Sequence, residues 1–160
     1  MKSIVIYYSY SGNTGKVADI LSEVLAQKGE VVTIDLHCLD EANSFLAQCH
    51  RAFRHTKGQI EPVNLDLSGY DLICLGTPVW AFGPAPATNT YLDKCSGVEG
   101  KSIILFTTYG SGTGNNRCLN YMQDILVKKG AKEFKRFSIQ QGKVKYKEFV
   151  LNSIKESARL

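Results

Sequence analysis

Three stretches of the chain are apolar without alternating with polar residues: Ile4-Val5-Ile6-Tyr7-Tyr8, Asp71-Leu72-Ile73-Cys74-Leu75 and Ser102-Ile103-Ile104-Leu105-Phe106. Their length and their β-branched or aromatic content predict strands, and the unbroken apolar run predicts that both faces are buried. Each runs into a polar segment containing glycine: Ser9 to Gly15, Gly76 to Pro86, and Thr107 to Asn116. Between them the apolar positions change to helical spacing. Val17, Leu21 and Val24/Leu25 fall at i, i+4 and i+7/i+8 before a stop at Gly29, and Leu119, Met122 and Ile125/Leu126 repeat the pattern before Gly130. Weaker signals predict strands at Val31 to Ile34 and Phe134 to Phe137. Helices are predicted at residues 40–56 and 86–94 and at a closing segment marked by Tyr146, Val150 and Ile154. Strand and helix therefore alternate five times, which predicts a three-layer α/β fold with a parallel sheet and right-handed crossovers. No repeat or linker interrupts the pattern, and His55 to Leu67 reads as a long connection. A single domain over residues 1–160 is expected.

Composition narrows the class. With 44% hydrophobic and 21% charged residues, 14 Gly and 4 Pro, the chain is neither disordered nor collagenous. No apolar run approaches the ~20 residues of a membrane span, and the N-terminus reads as a strand rather than a secretory signal. The 5 cysteines are an odd number with no C-x-x-C pair, so free thiols in a reducing cytoplasm are expected, Cys74 acting as a small buried hydrophobe. His37, His50 and His55 have no metal-ligand spacing, and no metal is expected. Charge is uneven: residues 1–116 hold 8 Lys/Arg against 11 Asp/Glu, and residues 117–160 hold 11 against 4. A solvated lysine-rich face is the plain reading of that basic third, with an acidic protein partner or a phosphorylated dinucleotide as the alternatives. Nucleic acid and membrane are not expected partners. Arg51, Arg54 and Lys57 read as a solvated basic group.

Chemistry is expected where the polar loops leave the carboxyl ends of the strands. In the first, Ser9-Tyr10-Ser11-Gly12-Asn13-Thr14-Gly15, hydroxyls, an amide and backbone N–H groups meet the start of a helix, a donor set suited to a phosphate monoester. Other phosphate loops do not fit. Only Asn13-Thr14 separate Gly12 from Gly15-Lys16, and Val17 follows, which excludes a Walker A loop. The dinucleotide G-x-G-x-x-G is absent from this turn, no cysteine has an arginine six positions on, and the acidic residues of a receiver domain are replaced by Ser9 and Thr77. The second loop, Gly76-Thr77-Pro78-Val79-Trp80-Ala81-Phe82-Gly83, and the third, Thr107-Thr108-Tyr109-Gly110-Ser111-Gly112, offer aromatic rings and backbone amides. An exposed tryptophan at Trp80 is expected, since it follows a Thr-Pro turn at a strand end.

The Ser-x-Ser-Gly-Asn-Thr loop at residues 9–14 resembles the phosphate-binding signature of flavodoxins. The second loop is similar to the flavin loop of that family, in the G-T-P-x-W form common among its oxidoreductase branches, and the third falls where the family places its last flavin loop. The resemblance implies a five-stranded parallel sheet of order 2-1-3-4-5 in an α/β/α sandwich and non-covalently bound FMN. Its phosphate would lie on Ser9, Tyr10, Ser11, Gly12, Asn13 and Thr14, and its ring on Thr77, Pro78, Val79, Trp80, Phe82, Gly83, Thr108, Tyr109, Gly110 and Gly112. Two functions follow from it: electron transfer between protein partners, or NAD(P)H-dependent reduction of quinones or other small acceptors. A cofactor-free interaction module is the third reading, disfavoured by the intact phosphate loop. Typical flavodoxins are strongly acidic, and the +4 formal charge of this chain departs from that pattern.

Overall fold

The computed structural model describes residues 1–42, 44–110 and 112–158. In chain order the elements are β1 (Lys2–Tyr7), α1 (Asn13–Ala26), β2 (Glu30–Asp35), α2 (Phe45–Phe53), β3 (Leu72–Trp80), β4 (Gly83–Pro84), α3 (Pro86–Lys94), β5 (Ser102–Tyr109), α4 (Asn115–Lys128), β6 (Glu133–Gln140) and α5 (Lys147–Ala158). The five long strands are parallel and ordered β2-β1-β3-β5-β6, which is the expected 2-1-3-4-5 order once the two-residue β4 is set aside. β4 was not expected; it folds back antiparallel on the end of β3, pairing Val79 with Pro84 and Trp80 with Gly83.

The apolar runs bury both faces as predicted, because alternate residues enter opposite cores. Ile4, Ile6, Ile73, Leu75, Ile103 and Leu105 pack with Tyr91 and Leu92 of α3 and Leu119, Met122 and Leu126 of α4. Val5, Cys74, Ile104 and Phe106 pack with Val17, Leu21 and Leu25 of α1 and Val150 and Ile154 of α5. Each fully buried aliphatic side chain contributes about 1.5–3 kcal/mol relative to exposure. All 5 cysteines are free, with Cys38 and Cys49 half-buried and the other three buried. Among the described residues no helix is long and apolar enough to cross a membrane, and no group of His, Cys, Asp and Glu side chains could hold a metal ion.

Three boundaries differ from expectation. β3 does not end at Leu75 but continues to Trp80, and β5 continues to Tyr109, because Gly76, Thr77 and Pro78 pair with Phe106, Thr107 and Thr108. Proline is tolerated there since β1 has already ended, at the Tyr7–Gly76 pair, and leaves the strand an edge on that side. Helix α2 occupies only Phe45–Phe53 of the expected 40–56, starting where the Ser44 hydroxyl accepts the Ala47 N–H at 3.2 Å. Residues 38–40 instead join the long connection, Cys38 bridging to Ile60 and the Asp40 carboxylate accepting from Gln59 N–H.

Candidate functional site

The chain leaves β1 toward β2 on one side and, after α2, returns to β3 on the other. The strand order therefore reverses between β1 and β3, and a crevice opens beyond their carboxyl ends. Three segments line it: residues 8–12, the β3–β4 hairpin and the chain after β5.

The first loop is shaped as an anion cradle. Gly12 takes a left-handed φ of 80° before α1 and no side chain caps the helix, so neither Ser11 nor Asn13 is the simple cap its residue type suggests. Ser9 Oγ accepts the Gly15 N–H at 3.1 Å, and Asn13 Nδ2 donates to Ser11 Oγ at 3.1 Å. Among the described residues, the backbone N–H groups of Tyr10 through Thr14 meet no protein acceptor. A helix start with several free N–H groups, three hydroxyls nearby and no carboxylate in the loop suits an anion. The Thr14 hydroxyl points inward and meets that of Thr108 at 2.8 Å, fixing α1 to the end of β5.

The second loop is a two-residue hairpin turn in which Ala81 and Phe82 both take positive φ, 45° and 70°. That conformation suits the right-handed twist of paired strands and strains any residue with a Cβ. Thr77 is buried and its hydroxyl is engaged within the protein, donating to Pro78 O at 3.1 Å and accepting from Ala85 N at 3.0 Å. This joins β3 to the start of α3. Pro78 is buried and half-buried Val79 lines the crevice. Gly83 is packed so closely that a Cβ would lie 2.8 Å from Ala52 O. Phe82 is exposed, with the Arg117 guanidinium 5.7 Å from its ring centre.

Trp80 corrects an expectation. Rather than standing exposed at a strand end it is 4% exposed. Tyr8, Tyr10 and Phe45 surround it edge-on, with ring centres 5.7, 5.5 and 5.8 Å away. The reason is the longer β3, which carries Trp80 in under α2 where these rings cover it. Tyr8 is fixed in turn by a hydrogen bond to Glu41, and its phenol is pushed above the ordinary range by burial and by that carboxylate. Tyr10 itself is half exposed.

In the third segment, Thr108 is buried while Tyr109 and Gly110 border a hollow of about 100 Å³ shared with Val79, Ala81, Phe82 and Thr113. Tyr109 thus lies at the crevice and not in the core beneath it. Gly112 takes φ +81° and is exposed; Ser111 falls outside the described residues. A larger hollow of about 360 Å³ is bordered by Phe45, Cys49, Val79, Trp80, Ala81, Gly110 and Gln141, within the size range of small-ligand pockets. Burial pushes the Cys49 thiol above its ordinary pKa, so it stays protonated. Tyr8, Phe45, Cys49 and Gln141 were not expected here. Phe45 and Cys49 carry an i, i+4 signal on α2; Gln141 carries none.

Comparison with known proteins places this architecture. Residues 2–153 match the sequence profile of the flavodoxin family. No curated protein matches the sequence at a significant level. Among solved structures, a protein of Bacteroides uniformis assigned as a flavoprotein superposes with a TM-score of 0.71 at 21% identity, over 96% of this chain and 97% of that one. A flavoprotein from Lactobacillus acidophilus in complex with FMN superposes at 0.62 and 19% identity, covering 92% and 98%. The apo form of an NADH:FMN oxidoreductase superposes at 0.62 and 20% identity, covering 98% and 88%. At these identities the structural likeness is one of fold.

Proposed function

Because the chain belongs to the flavodoxin family, we propose that it holds FMN non-covalently and passes electrons between protein partners in the cytoplasm. The observation that carries this reading is the cradle of free N–H groups at Tyr10 to Thr14, which opens beside a hollow walled by Val79, Trp80 and Gly110. A phosphate and a planar apolar ring need these two environments side by side. When bound, FMN supplies reversible one- and two-electron chemistry.

The protein's part is to hold and tune. The N-terminus of α1 favours the phosphate charge. The crevice wall at Trp80, Val79 and Tyr109 is largely apolar and would exclude water from one side of the ring. The Gly110 N–H and the backbone groups of the 81–82 turn would be the partners available to the ring's polar edge. Among the described residues no carboxylate borders the 360 Å³ hollow, and its only thiol, Cys49, stays neutral.

A second reading is an NAD(P)H-dependent reductase of quinones or other small acceptors. The observation favouring it is exposed Phe82 with Arg117 over its ring, an aromatic and a cation at the mouth of the crevice such as a dinucleotide uses. The deciding experiment is anaerobic stopped-flow absorbance of the FMN-loaded protein mixed with NADPH or NADH. The carrier reading expects no rapid bleaching by either nucleotide and full bleaching by dithionite. Rapid bleaching by a nucleotide would establish the reductase.

A further inference from the structure

We propose that residues 141–149, between β6 and the first turn of α5, form the docking surface for an acidic electron-transfer protein. This rests on the carrier reading above and assigns the chemistry of the partner.

The segment starts in the wall of the site. Gln140 Nε2 donates to Gly110 O at 3.3 Å, and Gln141 borders the 360 Å³ hollow together with Trp80 and Gly110. From there the chain runs outward in a fixed shape. Val144 N–H donates to Gln141 O, Tyr146 N–H to Lys143 O and Val150 N–H to Tyr146 O, at 3.2, 3.0 and 3.2 Å. Val144 and Val150 are buried and anchor both ends in the core.

Around those anchors, cations and aromatic rings face solvent together. Tyr146 is 56% exposed and Phe149 40%. The Lys143 ammonium lies 4.7 Å from the Phe149 ring centre, and that of Lys145 lies 5.0 Å from Tyr146. Three other lysines of the basic third are engaged: Lys129 and Lys135 donate to backbone carbonyls, and Lys147 pairs with Glu23 at 2.7 Å. Lys128, Lys132 and Lys155 are not, but among the described residues none of these three lies over an aromatic ring. Among the described residues, the side chains of Lys143 and Lys145 have neither an ion pair nor a hydrogen bond. Glu148 is the one carboxylate in the segment.

Exposed aromatics topped by unengaged cations, held rigidly beside a redox site, have the composition of a protein contact. Their charge selects a partner with carboxylates around its own redox centre and speeds the encounter by long-range attraction. Upon docking, one electron leaves the reduced cofactor and one enters the partner's centre, with no exchange of atoms.

The test uses the FMN-loaded protein, reduced by stoichiometric dithionite, and two haem proteins of opposite charge as probes: acidic cytochrome b5 and basic cytochrome c. Haem reduction is followed by stopped flow as ionic strength rises from about 20 mM to about 500 mM. The rate with cytochrome b5 is expected to fall about ten-fold or more over that range. The Lys143→Glu/Lys145→Glu variant is expected to lose about ten-fold at low salt with cytochrome b5 and to gain with cytochrome c, its FMN affinity unchanged. Amide chemical shifts in residues 143–149 of the wild type should move on adding oxidised cytochrome b5. Equal rates for wild type and variant, with no such shifts, would overturn the docking surface and leave the carrier reading standing. A wild type that reduces neither haem protein would remove the carrier reading and the docking surface with it.

Discussion

The hydroxyls of Thr14 and Thr108 meet at 2.8 Å in a buried position, joining the first turn of α1 to the end of β5. Within such a pair one hydroxyl donates and the other keeps its own hydrogen, so one donor remains for an anion seated on the helix start. Thr14→Val should lower stability by about 1–2 kcal/mol, because Thr108 loses its buried partner, and should weaken FMN binding about ten-fold. Ser11 is exposed, so Ser11→Ala should weaken FMN about ten-fold while changing stability by less than ~0.5 kcal/mol. Titrating the apoprotein with FMN and with riboflavin, which lacks the phosphate, separates the effects. Equal losses for both flavins with Ser11→Ala would remove Ser11 from the phosphate cradle.

Trp80 is the only tryptophan of the chain, and its burial under Tyr8, Tyr10 and Phe45 makes it an intrinsic reporter. Apoprotein emission should be blue-shifted and should be quenched by added FMN along the same curve as flavin fluorescence. Trp80→Ala should cost about 3–5 kcal/mol through the cavity left behind. Trp80→Phe should preserve the fold and shift the flavin absorbance bands. Bands unchanged in Trp80→Phe would place Trp80 in packing alone.

His55 stacks on Tyr121 with ring centres 3.9 Å apart, and its buried Nδ1 has no hydrogen-bond partner among the described residues. Burial first, and then the positive charge of Arg117, holds it below the ordinary histidine pKa. The unfolded chain therefore takes up this proton at a higher pH than the folded protein does. The stability linked to His55 is complete above the unfolded value of about 6.5, is lost as pH falls through it, and levels off below the folded-state pKa. Urea midpoints measured from about pH 8 down to about pH 5 should fall in the wild type and fall less in His55→Gln. Matching slopes would show that His55 contributes nothing to the dependence.

The fold was legible because the unbroken runs around Val5, Cys74 and Ile104 admit little besides buried parallel strands, and the helices between them keep strict spacing. The free N–H groups at the start of α1 were legible because such a turn needs only Gly12 and small polar neighbours. Where the reading of the sequence stopped short, the cause was pairing between distant strands. Gly76-Thr77-Pro78 has loop chemistry, and only its register with Phe106, Thr107 and Thr108 makes it a strand. That one displacement hid β4 and moved Trp80 from solvent to the interior. Gln141 joins the site because its neighbour Gln140 bonds Gly110 O across the β5–β6 pair, a long-range contact that leaves no local mark on the sequence.

Ala81 occupies φ 45° in the hairpin turn, a conformation in which its Cβ is a liability. Ala81→Gly should therefore be neutral or stabilising by up to about 1 kcal/mol, the reverse of the usual effect of glycine. Thermal denaturation of the apoprotein measures it. A clear loss of stability would mean that the Ala81 methyl contributes more through packing in the crevice wall than it costs in strain.

Two walls of the crevice hang from β3 and β5, which stay hydrogen-bonded to each other through Pro78 and Thr108. Loops suspended from a shared ladder cannot drift apart separately, and the Thr14–Thr108 contact adds the third wall to the same frame. A container braced in this way keeps its dipoles fixed when the charge inside it changes, so in the proposed carrier role little of the driving force for electron transfer would be spent on rearranging the protein. For that role, the extra strand residues that blurred the loop boundaries would bear on how fast an electron can enter or leave.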